Sequence, residues 1–210
     1  MTKRKPLKNQ KDKPMKTRIC ALLLIISSMS CANAQNDKEN QIKAALLAAP
    51  AEARAGAHVY GYNEQGEMIT LREGTNNFIV RADNPNQDGF EVVCYPKDVE
   101  PFMARGRELR AEGKNHGEVL QIREQEMMEG KLQKPNYGST LNIYFGLEAK
   151  YNPETDSLEG GHFRYVVYTP LATPETTGLP SKPNAKGHPW IMFPGKYRAH
   201  IMITPIKEEN

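Results

Sequence analysis

The chain has 210 residues, with 28 Lys/Arg against 25 Asp/Glu, a formal net charge of +3 and a mean hydropathy of −0.65. Eight of the basic residues and one of the acidic ones lie in positions 1–34, so residues 35–210 hold 20 basic and 24 acidic residues, a net of −4. That balance excludes a basic nucleic-acid footprint in the body of the chain, and Cys94, the only cysteine after position 34, excludes a disulfide within it.

The N-terminal stretch reads as an export signal. Lys3, Arg4, Lys5, Lys8, Lys11, Lys13, Lys16 and Arg18 precede an apolar run over residues 19–29, followed by Ser30-Cys31-Ala32-Asn33-Ala34-Gln35. A basic region, a short apolar core and an Ala-x-Ala exit form a signal peptide, and the core falls well short of the roughly 20 residues that span a bilayer. The expected cleavage follows Ala34, with residues 1–34 removed and the protein placed in the periplasm or outside the cell. Ser30-Cys31 supplies an alternative, lipidation at Cys31, which would tie the protein to a membrane. Met15 offers a second start codon, because residues 15–35 form a complete signal by themselves.

Residues 35–56 read as a short Ala/Leu-rich helix and a linker, broken at Pro50. Residues 57–210 form the expected single domain. Runs at 58–62 and 67–72 flank a four-residue turn ending in Gly66, which is a hairpin signal. Further apolar runs at 77–82 and 90–95 follow polar turns, and the four together read as an antiparallel meander. Val99, Phe102, Met103 and Leu109 have helical spacing, with Asp98 as the expected cap and Gly113 as the stop. A second helix opens at Asn115 and Glu118, spaced as a capping box, and stops at Gly130. Residues 141–151 alternate strictly, placing Leu141, Ile143, Phe145, Leu147, Ala149 and Tyr151 on one face of a strand. A strand over 162–168 buries Phe163, Tyr165 and Val167, or else the opposite set.

From 169 to 198 no regular element is predicted. Six prolines punctuate the stretch, and structureless segments of this length inside compact domains commonly carry function. A last strand is expected over 199–204. The predicted fold class is therefore α+β: a mainly antiparallel sheet with an inserted pair of helices and a long Pro/Gly-rich C-terminal loop.

Sequence signatures of known chemistry are missing. The chain contains no HExxH, GxSxG, GxGxxG or P-loop, so no cofactor is expected. Cys94, inside the apolar run FEVVCYP, is expected to be buried rather than nucleophilic. Glu124, Glu126 and Glu129 read as a solvated helix face. His162 and His200 fall on predicted strands, and with His188 their imidazoles would suit zinc if they shared a face. His162, Arg164, His188 and His200, with Glu175 as a carboxylate, are the catalytic candidates. Tyr60, Tyr62, Trp190 and Arg198 are the ligand-binding candidates, because flat rings beside polar groups suit a sugar or a peptide. The stretch GHPWIMFPG, residues 187–195, carries four consecutive large apolar residues, and several of them are expected to pack down.

The stretches APAEARAGAHVYGY (49–62), TLREGTN (70–76) and FMARGRELRAEG (102–113) resemble segments of secreted bacterial proteins that carry no assigned activity. The resemblance implies an exported bacterial protein and transfers no catalytic residue, cofactor or substrate. The leading expectation is a non-enzymatic exported module that binds a small molecule, a glycan or a protein. The alternatives are a periplasmic hydrolase with its site under the 170–198 loop, and an envelope assembly component.

Overall fold

A computed structural model describes residues 37–206 together with Met1. The chain divides into two units, residues 1–37 and 38–210. The expected signal segment, including Cys31 and Ala34, lies outside the described residues. The second unit is mixed α/β, mostly an eight-stranded sheet with a few helices. Its elements run α1 (residues 38–46), β1 (His58–Tyr62), β2 (Met68–Arg72), β3 (Phe78–Arg81), β4 (Phe90–Pro96), α2 (Glu100–Ala111), α3 (His116–Met128), β5 (Thr140–Gly146), β6 (Lys150–Asn152), β7 (Ser157–Glu159), β8 (His162–Tyr168), α4 (Pro174–Thr177), β9 (Trp190–Met192) and β10 (His200–Ile203). The large sheet has the order β2-β1-β3-β4-β5-β8-β10-β9, and β6 pairs only with β7. Among the described residues no helix is long and apolar enough to cross a membrane.

The first four strands do not form a meander. β1 and β2 make the expected hairpin, its turn held by Asn63, whose side chain accepts from the backbone of Gln65 and Glu67. β3 then pairs with β1, in parallel, rather than with β2. Residues 73–77 must therefore pass beneath the start of β1. Gly74 makes that crossing: a Cβ there would stand 2.5 Å from the backbone nitrogen of His58. Thr75 and Asn76 donate to the carbonyl of Gly56, and the Asn76 amide reaches the carbonyl of Ala53 at 2.7 Å. A five-residue polar link suits a hairpin as well as this crossing, so the run of residues does not separate the two.

Two apolar clusters lie on the sheet. One joins Ala44, Ala45, Ala48 and Ala49 to Val59, Val80, Val92 and Cys94. The small alanines let the chain after α1 approach the strands closely, which makes this stretch part of the core rather than a linker. Gln41 fastens it, its amide bonding both the N–H and the C=O of Tyr62. The other cluster joins Ile79, Val93, Tyr95, Leu141 and Val166 to Phe102 of α2 and Met127 of α3. Alternate residues of β4 feed the two clusters, as period-two geometry requires.

The capping box of α3 forms as expected, Asn115 and Glu118 each bonding the other's backbone N–H. The expected cap of α2 does not: a 3₁₀ turn, Lys97–Val99, precedes the helix, and Asp98 instead accepts from the Ser139 hydroxyl. The predicted strand over 141–151 is cut at Gly146, because its partner β4 begins at Phe90, directly opposite. Beyond that point no ladder is available from β4, and Leu147 turns into solvent, 75% exposed. In β8 the opposite set wins, with Val166 and Tyr168 buried and Phe163, Tyr165 and Val167 half-buried. The 169–198 segment holds two regular pieces that were not expected, the one-turn α4 and the edge strand β9.

Candidate functional site

Strand register assembles the site. β8 and β10 are antiparallel with Tyr165 opposite Ile203, so continuing the ladder brings His162 level with Ile206. β9 and β10 are antiparallel with Trp190 opposite Met202, so continuing that ladder brings residues 186–188 level with residues 204–206. Three stretches distant in sequence thus meet at one end of the sheet edge. They enclose an open cavity of about 440 Å³ whose lining includes His162, Lys186, His188, Trp190, Thr204 and Ile206. Its size falls in the range of small-molecule sites, roughly 300–1,000 Å³.

Local sequence shapes the rim. His188 N–H donates to the carbonyl of Ala185, closing a tight turn. Gly187 sits in that turn at φ +77°, where side-chain-bearing residues are strained, and a Cβ there would stand 2.9 Å from Ile206. The outer edge of β9 is covered, since Ile191 N–H donates to the Pro180 carbonyl at 2.9 Å. Ile191 is completely buried, whereas Trp190 is half-buried against the cavity. GHPWIMFPG therefore divides: Ile191 anchors the edge strand and Trp190 faces the opening.

The lining is cationic and aromatic. Lys186 and two imidazoles, all exposed, share the lining with Trp190, Pro183, Pro205 and Ile206, and the described lining contains no carboxylate. Arg164 is not among the lining residues but touches one of them, its Nε 3.4 Å from the Thr204 hydroxyl, while its guanidinium lies 4.4 Å from the Phe145 ring centre. Among the described residues neither Lys186 nor Arg164 has an acidic partner within 4.0 Å.

The remaining candidates are elsewhere. His200 pairs opposite Tyr168, six residues along β8 from His162 and hence about 20 Å away. It is buried, its Nδ1 is 2.9 Å from the Arg198 carbonyl, and burial holds its pKa below the ordinary histidine value. The three imidazoles therefore do not gather, and no metal-binding cluster of His, Cys, Asp or Glu occurs among the described residues. Glu175 is exposed in the first turn of α4, and a side-chain hydrogen bond from Thr173 lowers its pKa. Arg198 does not face the cavity: it bonds Glu124 at 3.1 Å and the Leu120 carbonyl at 2.7 Å. Glu124 is buried and Glu126 binds Arg105, so the expected solvated face of α3 is partly an internal one.

Tyr60 and Tyr62 stand on β1, six strand spacings or about 29 Å across the sheet from β9. Tyr62 is buried, and Tyr60 lies edge-on to His58 and 5.4 Å beneath Arg107 of α2. Burial, then the nearby Glu100 charge, raises the Tyr60 pKa. Arg107 and the Tyr95 hydroxyl both bond Glu100, making this a structural network between sheet and helix. Cys94 is buried as expected, and burial pushes its thiol up to about 12.

Lys186 and Ile206 belong to no predicted element or motif, and Thr204 ends the predicted strand 199–204 without being singled out as a site residue. The one available signal was a lysine beside Gly187 and His188 in a Pro-rich segment. No known protein family, curated protein or solved structure matches the chain.

Proposed function

We propose that the protein is an exported binding module that holds a small molecule in the cavity between β8, β10 and the 183–190 turn, without covalent chemistry of its own. The carrying observation is the convergence of His162, His188 and Trp190, three of the residues singled out in the sequence, on one cavity at the sheet edge. Half-exposed aromatic rings beside a few polar groups are the usual make-up of a small-molecule site. Export rests on the basic region, short apolar core and Ala-x-Ala of residues 1–34. The hydrolase reading keeps His162 and His188 on the cavity lining but not Arg164, His200 or Glu175.

Native mass spectrometry of the protein purified from its own cells tests the binding reading. The expected result is a noncovalent adduct of small-molecule mass that Trp190→Ala abolishes while the melting temperature stays within a few degrees. An adduct that survives Trp190→Ala, or the absence of any saturable ligand of the cavity, overturns it.

A further inference from the structure

We infer that the ligand of this cavity is an organic carboxylate with a flat apolar body, its ring against Trp190 and its carboxylate toward Lys186. The inference rests on the reading of the cavity as a binding site. Residues 35–210 carry a net charge of −4, yet the described lining of this cavity contains Lys186, two histidines and no acidic residue. Four partly buried arginines meet a carboxylate: Arg81 meets Glu91, Arg105 meets Glu126, Arg107 meets Glu100 and Arg198 meets Glu124. Arg54, Arg72 and Arg123 donate to backbone carbonyls instead, whereas Lys186 lines the cavity with neither kind of partner among the described residues. A cationic wall without its own counter-charge complements an anion.

The number and kind of donors select among anions. One ammonium, imidazole N–H groups and the Thr204 hydroxyl match a single negative charge. A phosphate dianion is typically met by several guanidiniums or by a run of backbone N–H groups, and Arg164 is occupied against Phe145 and Thr204. Much of the remaining lining is apolar. Trp190, Pro183, Pro205 and Ile206 offer a ring face and aliphatic surface on which a planar hydrocarbon part packs.

Trp190 is the only tryptophan of the chain, so its fluorescence reports on this cavity alone. The test is titration of the full chain with phenylacetate, phenylacetamide and inorganic phosphate. Glu208→Gln/Glu209→Gln is run alongside, so that the two acidic residues following in sequence do not stand in for the ligand. The expected result is saturable change with phenylacetate, about tenfold weaker binding of the uncharged amide, and no response to phosphate. Lys186→Gln is expected to weaken the carboxylate about tenfold and leave the amide unchanged. Equal binding of phenylacetate and phenylacetamide, or an equal loss of both in Lys186→Gln, overturns the carboxylate assignment while the cavity stands as a binding site. A phosphate response matching that of phenylacetate overturns it in favour of recognition of bare charge. If neither organic probe changes the emission of the folded protein, both the assignment and the binding reading fall.

Discussion

Arg198 and Glu124, 74 positions apart, meet at 3.1 Å beneath the 169–198 segment, with side chains only 13% and 10% exposed. The Glu124 carboxylate also accepts from the backbone N–H of Tyr197 at 2.8 Å, so it binds both the charge and the chain of the segment. The segment needs such a tie. Leu171 and Phe193 both hold positive φ, at 66° and 55°, a conformation that costs side-chain-bearing residues of order 1–3 kcal/mol each. Phe193 is in turn covered by the Arg198 guanidinium at 4.4 Å.

Breaking this pair from one side strands a charge in a nearly dry place. Glu124→Ala or Arg198→Ala is expected to cost about 3–5 kcal/mol, read as a lower midpoint in urea unfolding. The double variant Glu124→Gln/Arg198→Met is expected to recover part of that loss. A single-site cost below about 1 kcal/mol would mean the pair behaves as a surface ion pair.

His200 makes stability depend on pH. Its folded pKa is depressed by burial, so below the ordinary value of about 6.5 the unfolded chain takes up a proton that the folded chain resists. Stability should therefore fall as pH drops from about 6.5 toward the lower folded value. His200→Gln should remove this component, so the difference in urea midpoint between the two proteins narrows on acidification. Parallel profiles from pH 7 to pH 5 would contradict the assignment.

Cys94 should be protected as long as the sheet is intact. It is 1% exposed, and its thiol is pushed up to about 12, leaving very little thiolate at neutral pH. Iodoacetamide is expected to leave Cys94 unmodified in native buffer and to modify it in urea, scored by peptide mass spectrometry. Rapid native labelling would place Cys94 outside the core.

Gly187→Ala tests the cavity rim. The new methyl would meet Ile206 at 2.9 Å, at a backbone conformation that disfavours it. The expected outcome is a modest loss of stability, about 1 kcal/mol, together with loss of phenylacetate binding. Adding Ile206→Ala should restore part of the binding by clearing the clash. Undiminished binding in Gly187→Ala would place the ligand elsewhere.

Gly74→Ala tests the crossing beneath β1. Its Cβ would lie 2.5–2.8 Å from the backbone and Cβ of His58, which cannot swing aside as a long side chain would. A loss of about 3 kcal/mol or more is expected in urea unfolding. A neutral outcome would be incompatible with the parallel β1–β3 pair.

Much of the local structure was legible because it depends on neighbours in sequence. The β1–β2 hairpin, the helical spacing of α2, the capping box of α3 and the burial of Cys94 follow from turn chemistry, periodicity and composition over a few residues. Reading failed where a partner strand decides. The pattern over 141–151 is a perfect alternation, yet the strand stops at Gly146 because β4 has no residue to pair beyond Phe90. Glu124 looks like any glutamate on an exposed helix turn until Arg198 arrives from 74 residues away.

The site divides along the same line. Sequence alone singled out His162, His188 and Trp190 by residue type, since the chain has five histidines and one tryptophan and these three stand in or beside a Pro/Gly-rich stretch. Alone it also determined the net charge of residues 35–210 and the absence of a disulfide framework there. Only tertiary structure decided that His162 and His188 meet at one cavity while His200 lies about 20 Å off along the strand. It also decided that Lys186 joins them and that Arg198 turns away to Glu124. The physical reason is register: antiparallel pairing of β8 with β10 and of β9 with β10 sets which residues of separate segments lie level, and no local pattern encodes that pairing.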